Sequence, residues 1–228
     1  MTNEKSEIHL SLDDYIESHI TPEHPYLHAL WRATHLHLNY PRMASGHLQG
    51  QVLRMLAQMI RPRLVLEIGT FTGYSALAMA SALKPGDMLH TYEINDEQED
   101  FTRPWIENSP WADRVTLHIE DILQARLQDV FDLVFIDADK RHYVDYYDAV
   151  FPHVRPGGYI LADNTLWGDQ VITPPRPLER GLGGEVDNAK SSQLRGIMAF
   201  NDVVAADPRV ETVILPLRDG LTLLRKNP

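Results

Sequence analysis

Across residues 11–60 the apolar positions recur every three or four residues (Leu27, Leu30 and Trp31, then Leu48, Val52, Leu53 and Leu56), the period of an amphipathic helix. The spacing predicts two or three helices, punctuated by Pro22, Pro25 and Pro41, with Ser45 as N-cap of the helix that runs toward Ile60. After Pro62 the texture changes. Short apolar runs at 64–68, 88–93, 115–120, 133–137 and 159–163 alternate with segments of helical length, which predicts a parallel sheet with crossover helices. The near-continuous apolar run around 131–137 suits a central strand covered on both faces. Two further strands, 210–215 and 221–225, are separated by only five residues, 216–220, enough for a hairpin and too few for a parallel crossover. The expected architecture is α/β: a seven-stranded sheet with six parallel strands and one antiparallel, helices on both faces, and helices 1–61 capping a Rossmann-like core, 62–228, as a single domain. A Pro- and Gly-rich tract, 168–187, interrupts the sheet before the last helix and reads either as a lid or as a mobile insertion.

Composition narrows the partner. A chain of 228 residues, 43% apolar, can close one sizeable core. Its 21 basic and 32 acidic residues leave a net charge of −11, which repels polyanions and disfavours nucleic acid and anionic membrane, so a small molecule is expected. Cysteine is absent, which removes thiolate nucleophiles and Cys-based metal sites and agrees with a cytoplasmic location. The first twenty residues carry charges through every apolar stretch, unlike a signal peptide, and no window approaches a membrane span.

The run Leu66-Glu67-Ile68-Gly69-Thr70-Phe71-Thr72-Gly73-Tyr74-Ser75 puts a glycine turn between the first strand and its helix, where doubly wound sheets bind nucleotides. Glycine there also serves simply to bring helix close to strand. Two features sharpen the functional reading. The spacing is G-x-x-x-G, without the G-x-G-x-x-G that seats a pyrophosphate, which disfavours a nicotinamide-dependent oxidoreductase. The second strand ends in Glu93, 24 residues after Gly69, where a carboxylate can accept from both hydroxyls of a ribose. A nucleoside without a diphosphate is indicated, and S-adenosylmethionine is such a ligand.

The fourth and fifth strands end in Asp137 and in Asp163-Asn164, tips that the topology brings side by side. Acidic residues often end strands as helix caps, but three oxygen donors at adjacent tips suit a hard divalent ion such as Mg²⁺, or Mn²⁺ or Ca²⁺. A phenolic hydroxyl titrates near a pKa of about 10, and a chelating cation favours its oxyanion. Lys140, three residues beyond Asp137, is the candidate general base; its alternative is a solvated surface lysine.

With these residues in place, the sequence resembles the cation-dependent class I O-methyltransferases, the family of catechol and caffeoyl-CoA O-methyltransferases and their bacterial relatives. The carrying segments are Pro41-Arg42-Met43 with Gln49-Gly50-Gln51, the glycine turn, Asp137-Ala138-Asp139-Lys140 with Tyr143, Asp163-Asn164-Thr165-Leu166-Trp167, and Asp219-Gly220-Leu221, and they extend over nearly the whole chain. The resemblance implies metal ligation by Asp137, Asp163 and Asn164, Lys140 as base, and ribose binding by Glu93. It implies cofactor contacts from Ser45, Glu67, Gly69 and Ser75, with Asp121 and Ala138 beside the adenine. Met43 and Trp167 are the acceptor-side candidates, and a homodimer is the family expectation. Two departures stand out: Glu120 where glycine is usual, and a longer tract at 172–187 where the acceptor enters.

The activity expected is methyl transfer to a hydroxyl of a small catechol-like aromatic. A second reading, methylation of 5-hydroxyuridine in transfer RNA, would need a local basic patch from Arg42, Arg176, Arg180 and Arg195. His24 and His28 have helical i, i+4 spacing but no third ligand nearby, so they read as surface or core histidines; His35 and His37 cannot share a helical face. Tyr143, Tyr146 and Tyr147 read as helix packing against the sheet.

Overall fold

The computed structural model describes residues 11–172 and 184–228, with 184–190 in backbone only. Three helices precede the sheet: α1 (Leu12–His19), α2 (Pro25–His37) and α3 (Gly46–Ile60). α1 opens on a capping box in which Ser11 Oγ accepts from Asp14 N and Asp14 Oδ2 accepts from Ser11 N, each at 3.1 Å. α2 starts at Pro25, whose missing N–H costs nothing at the first helical position, while the His24 ring nitrogen accepts from Tyr26 N at 3.2 Å. α3 departs from the sequence reading. Ser45 does stand before it, but with helical dihedrals (φ −56, ψ −40) and no capping bond. A capping hydroxyl swings back over the first turn from an extended backbone, and Ser45 lacks that conformation.

The sheet order is β3-β2-β1-β4-β5-β7-β6. Its strands are β1 (Leu64–Ile68), β2 (Met88–Glu93), β3 (Val115–Ile119), β4 (Phe131–Ile136), β5 (Val154–Asp163), β6 (Val210–Leu215) and β7 (Leu221–Lys226). β7 runs antiparallel to both β5 and β6 and the other pairings are parallel, giving the expected six-plus-one arrangement. β4 starts earlier than its apolar run suggests, across a register shift between Phe131 and Leu133. Consecutive residues of β1 serve opposite faces, as a period of two requires. Val65 packs with Leu53, Ala57 and Leu77 on the side of α3, α4 (Tyr74–Ala80) and α5 (Glu99–Glu107), and Leu66 with Val134, Tyr143 and Phe200 on the side of α6 (Tyr143–Val150) and α7 (Gly184–Ala206). Val65, Leu66, Leu133 and Val134 are fully buried, and each such side chain contributes roughly 1.5–3 kcal/mol.

The chain leaves β1 toward β2 and β3 on one side, and from β4 continues to β5 on the other. The order therefore reverses between β1 and β4, and ligands of such sheets bind in the crevice beyond the strand C-termini at that point. The 168–187 tract is described only in part: Gln170–Ile172 form a 3-10 turn, whereas residues 173–183, including Arg176 and Arg180, lie outside the described residues.

Candidate active site

Backbone bonds zip the strand tips together. Gly69 N donates to Tyr92 O and Asp137 N to Ile68 O, both at 2.9 Å. A Cβ on Gly69 would stand 2.4 Å from Asp137 O, and its φ of +95 is one that L side chains rarely adopt, so glycine lets β1 and β4 converge here. The turn that follows feeds Phe71 N to Glu93 Oε2 at 2.8 Å, while Asn95 N reaches Glu93 Oε1 at 2.9 Å. Each Glu93 oxygen thus takes one backbone amide and retains capacity for a further donor.

Glu67 lies behind this turn. It is fully buried in β1 and receives Thr91 Oγ1 at 2.5 Å on Oε2; Thr91 in turn contacts Thr70 Oγ1 at 2.6 Å. Thr91 spends its single proton on Glu67, so Thr70 donates within the pair. Glu67 Oε1 has no geometrically complete hydrogen bond among the described residues, although the Ser75 hydroxyl comes near enough to the carboxyl to favour its charged form. Burial pushes the Glu67 carboxyl up to about 8; Ser75 and Thr91 oppose this, and the charges of Asp137 and Glu93 add to it.

At the neighbouring tips, Lys140 is buried and its Nζ donates to Asp137 Oδ1 at 2.7 Å. Asp163 is 5% exposed and its Oδ2 accepts from Gln49 Nε2 at 2.6 Å. Burial first, then the charge of Asp137, pushes Asp163 up to about 7, against the pull of Lys140 and the Gln49 bond. Two carboxylates thus face one lysine in a corner nearly closed to water, and that donor set of hard oxygens fits a hard divalent ion. Asn164 follows at φ 57, a left-handed conformation that Asn tolerates better than most side chains. Tyr143 Oη donates to Asp163 O at 2.9 Å, so the buried tyrosine supports the strand tip as well as packing under it. The loop beyond is clamped by the β6–β7 hairpin: Leu166 N and Trp167 N donate to Asp219 O at 2.7 and 3.1 Å.

These groups line one cavity of about 1100 Å³. Its wall includes Ser45, Gly69, Ser75, Glu93, Asp121, Asp137, Ala138, Lys140, Asp163 and Asn164, with Trp167 and the largely exposed Met43 on it too. The volume exceeds the usual range for one small ligand and accommodates a nucleoside beside a second molecule. Of the residues expected from the sequence, Glu67 alone is off the wall. Asp121 Oδ1 accepts from Leu123 N at 3.0 Å in its own loop, and Glu120 sits exposed on the rim. The sequence reading missed Thr70, Thr91, Gln49 and Arg218 as parts of the site. Arg218 Nη1 donates to Gln49 Oε1 at 3.0 Å, a contact across 169 positions of chain that no local pattern announces.

The other candidates are occupied elsewhere. His24 caps α2 and sets its ring 4.9 Å from that of Trp111, and His28 pairs with Glu23 at 2.8 Å. Among the described residues no three His, Cys, Asp or Glu side chains form a metal-binding cluster, which leaves two carboxylates and an amide as the candidate set. Arg195 donates to Ser191 Oγ at 2.6 Å, Arg42 is exposed on the cavity rim, and the other two arginines of the suggested patch are not described. No helix among the described residues is long and apolar enough to cross a membrane.

Residues 17–227 match the O-methyltransferase family. The chain is 35% identical to caffeoyl-CoA O-methyltransferase 1 of Eucalyptus globulus over 192 residues, covering 81% of this chain and 75% of that protein. It is 36% identical over 193 residues to the caffeoyl-CoA O-methyltransferase of Mesembryanthemum crystallinum, covering 81% and 73%. Among solved structures, the SAH-bound methyltransferase of Podospora anserina superposes with a TM-score of 0.84 at 26% identity, over 95% of this chain and 94% of that one. The SAH complex of an O-methyltransferase from Bacillus cereus gives 0.81 at 27% identity, over 94% and 96%.

Proposed function

This chain belongs to the O-methyltransferase family, and on that premise we propose that it methylates a hydroxyl of a small catechol-like aromatic, using S-adenosylmethionine and a divalent cation. The observation that carries the proposal is the convergence of Asp137, Lys140 and Asp163 at two hydrogen-bonded strand tips, on the same cavity wall as Glu93. S-adenosylmethionine supplies the electrophilic methyl group. SAM- and SAH-bound structural relatives, at 26% and 27% identity, support that choice of donor. In this reading Glu93 accepts the ribose hydroxyls with the lone pairs its two amide contacts leave free, and Gly69 lets the ligand approach the backbone. Ser45 and Ser75 face the methionine end, and Asp121 and Ala138 flank the adenine.

Asp137, Asp163 and the Asn164 amide would hold the cation, which would supply Lewis-acid stabilisation of a phenolate. Lys140, buried on the cavity wall beside Asp137, would act as the neutral amine that a cation held next to it favours, and Nζ in that form takes the proton of the acceptor hydroxyl. Trp167 and Met43 contact the aromatic ring. Once the oxygen is free of its proton, the protein's remaining work is to hold it in line with the methyl group and to exclude water. A cytoplasmic homodimer, one domain per chain, belongs to the same proposal; light scattering of the purified protein checks the dimer.

The decisive experiment incubates purified protein with methyl-labelled S-adenosylmethionine and a panel of catechols, with and without excess chelator. Transfer to vicinal diols that chelator abolishes and added Mg²⁺ restores is the expected result. Full-rate transfer in chelator refutes the metal part of the proposal, and label appearing in bulk transfer RNA instead of the catechols refutes the acceptor class.

A further inference from the structure

Gln49 is 4% exposed on α3 and bridges two groups from elsewhere in the chain. Its Oε1 accepts from Arg218 Nη1 at 3.0 Å and its Nε2 donates to Asp163 Oδ2 at 2.6 Å. A guanidinium has five donors and no acceptor, so the amide oxygen must face Arg218, and the NH₂ must then face Asp163. The amide has no second orientation: flipped, it would set two donors against Arg218 and two acceptors against each other at Asp163. Arg218 makes no ion pair among the described residues, and its backbone is pinned at φ 50 in the hairpin that also clamps the loop after Asn164. Its hydrogen bond to Gln49 is therefore directed by the fold.

We infer that Arg218 and Gln49 are positioning residues for the metal site: Arg218 orients the Gln49 amide, and the oriented amide fixes Asp163 Oδ2, which leaves Oδ1 without a side-chain donor among the described residues and open to an ion. The inference rests on the reading of Asp163 as a metal ligand. Position 49 needs a side chain that accepts at one end and donates at the other. Glutamate would set a third carboxylate beside Asp163 and Asp137, and leucine would leave both Asp163 Oδ2 and the guanidinium unpaired. The pair also explains why the hairpin and α3 meet at the tip of β5: each holds one end of a chain of donors that begins on Arg218 and ends on a carboxylate.

The test measures Mn²⁺ binding to the full chain by electron paramagnetic resonance, without turnover, in wild type, Gln49→Leu, Arg218→Met and the double variant; calorimetry with S-adenosylhomocysteine runs in parallel. Outer-shell partners are worth about 10- to 100-fold in metal affinity, and Gln49→Leu is expected to lose that much. Arg218→Met, which touches no ligand, is expected to lose roughly three- to tenfold, and the double variant to match Gln49→Leu within about twofold because the two residues act in series. S-adenosylhomocysteine affinity should hold within about threefold throughout. Arg218 is exposed, so Arg218→Met stays folded and carries the test even if Gln49→Leu does not fold. Unchanged Mn²⁺ affinity in Arg218→Met, losses that multiply in the double variant, or a parallel fall in S-adenosylhomocysteine affinity each overturn the inference while leaving the metal site standing. Absence of Mn²⁺ binding in the wild type overturns the metal reading itself.

Discussion

Glu67→Gln isolates the electrostatic cost built into the centre of the sheet. Glu67 is wholly buried, and its carboxyl is pushed from an ordinary 4.5 up to about 8, chiefly by loss of water. Below pH 4.5 folded and unfolded chains both carry the proton, and the group's contribution to stability is fully present. Between 4.5 and 8 the unfolded chain releases it and the folded chain keeps it, so stability falls by about 1.4 kcal/mol per pH unit; above 8 both states are ionised and the loss levels off. The whole window is worth about 5 kcal/mol. Glutamine keeps the shape and cannot ionise. It adds a pH-independent cost of roughly 1–3 kcal/mol, since its NH₂ sets two donors at the end where the carboxyl has no partner among the described residues. Urea denaturation from pH 5 to 7.5 in excess chelator separates the two effects. The stability of wild type minus that of Glu67→Gln should fall by about 3 kcal/mol across that range, whatever its starting value. Asp163, also raised, adds its own downward slope to both proteins and cancels in the difference. A difference that stays constant with pH would mean Glu67 is not held protonated, and the account of the strand tips would fail with it.

Three substitutions separate the remaining roles. Lys140→Met is expected to lower kcat by roughly 10²–10⁴-fold and to move S-adenosylhomocysteine affinity little, measured by steady-state kinetics and calorimetry; equal losses in both would reduce Lys140 to a structural partner of Asp137. Glu93→Ala should act the other way, weakening the nucleoside by about 10-fold or more while saturating cofactor restores most of kcat, and an unchanged dissociation constant would move the ribose elsewhere. Gly69→Ala forces a Cβ to within 2.4 Å of Asp137 O at φ +95, so chemical denaturation should register a loss of about 2–5 kcal/mol; a loss under about 1 kcal/mol would show that the two tips can part without penalty.

The parallel core was legible because each strand is a short apolar run bounded by turn residues, and the period separates strands from helices without help from tertiary structure. The same logic located Gly69, Glu93, Asp137 and Asp163, since a residue at a strand's C-terminal end is placed by the sheet itself. Boundaries were less legible. β5 begins at Val154, through Pro156 and Gly157, residues that advertise a turn, and it remains a strand there because β4 pairs with it at Phe131. Ser45 carries the residue type of a cap and none of its geometry, because helical dihedrals turn its hydroxyl away from the first turn. Glu67 looked like one more ligand of the glycine turn, yet strand alternation puts it on the opposite side from Leu66 and Ile68, under the turn with Thr91.

What no pattern in the chain revealed is the support of the site from outside the sheet, and the acceptor side depends on that support most. After Asp163 the backbone passes through left-handed conformations at Asn164, Trp167, Gly168 and Asp169 within six residues, a path that would not hold itself open. It is held by Asp219 and Gly220, whose carbonyls take the amides of Thr165, Leu166 and Trp167, and Gly220 can do so because a Cβ there would meet Leu166 at 2.6 Å. The β6–β7 hairpin is thus part of the site although it contributes no proposed ligand. Its antiparallel strand lets a chain segment some fifty residues downstream return to the tip of β5, which a further parallel strand would direct to the far end of the sheet. The one strand that breaks the parallel order is therefore the one that fixes where Asp163, Asn164 and Trp167 stand.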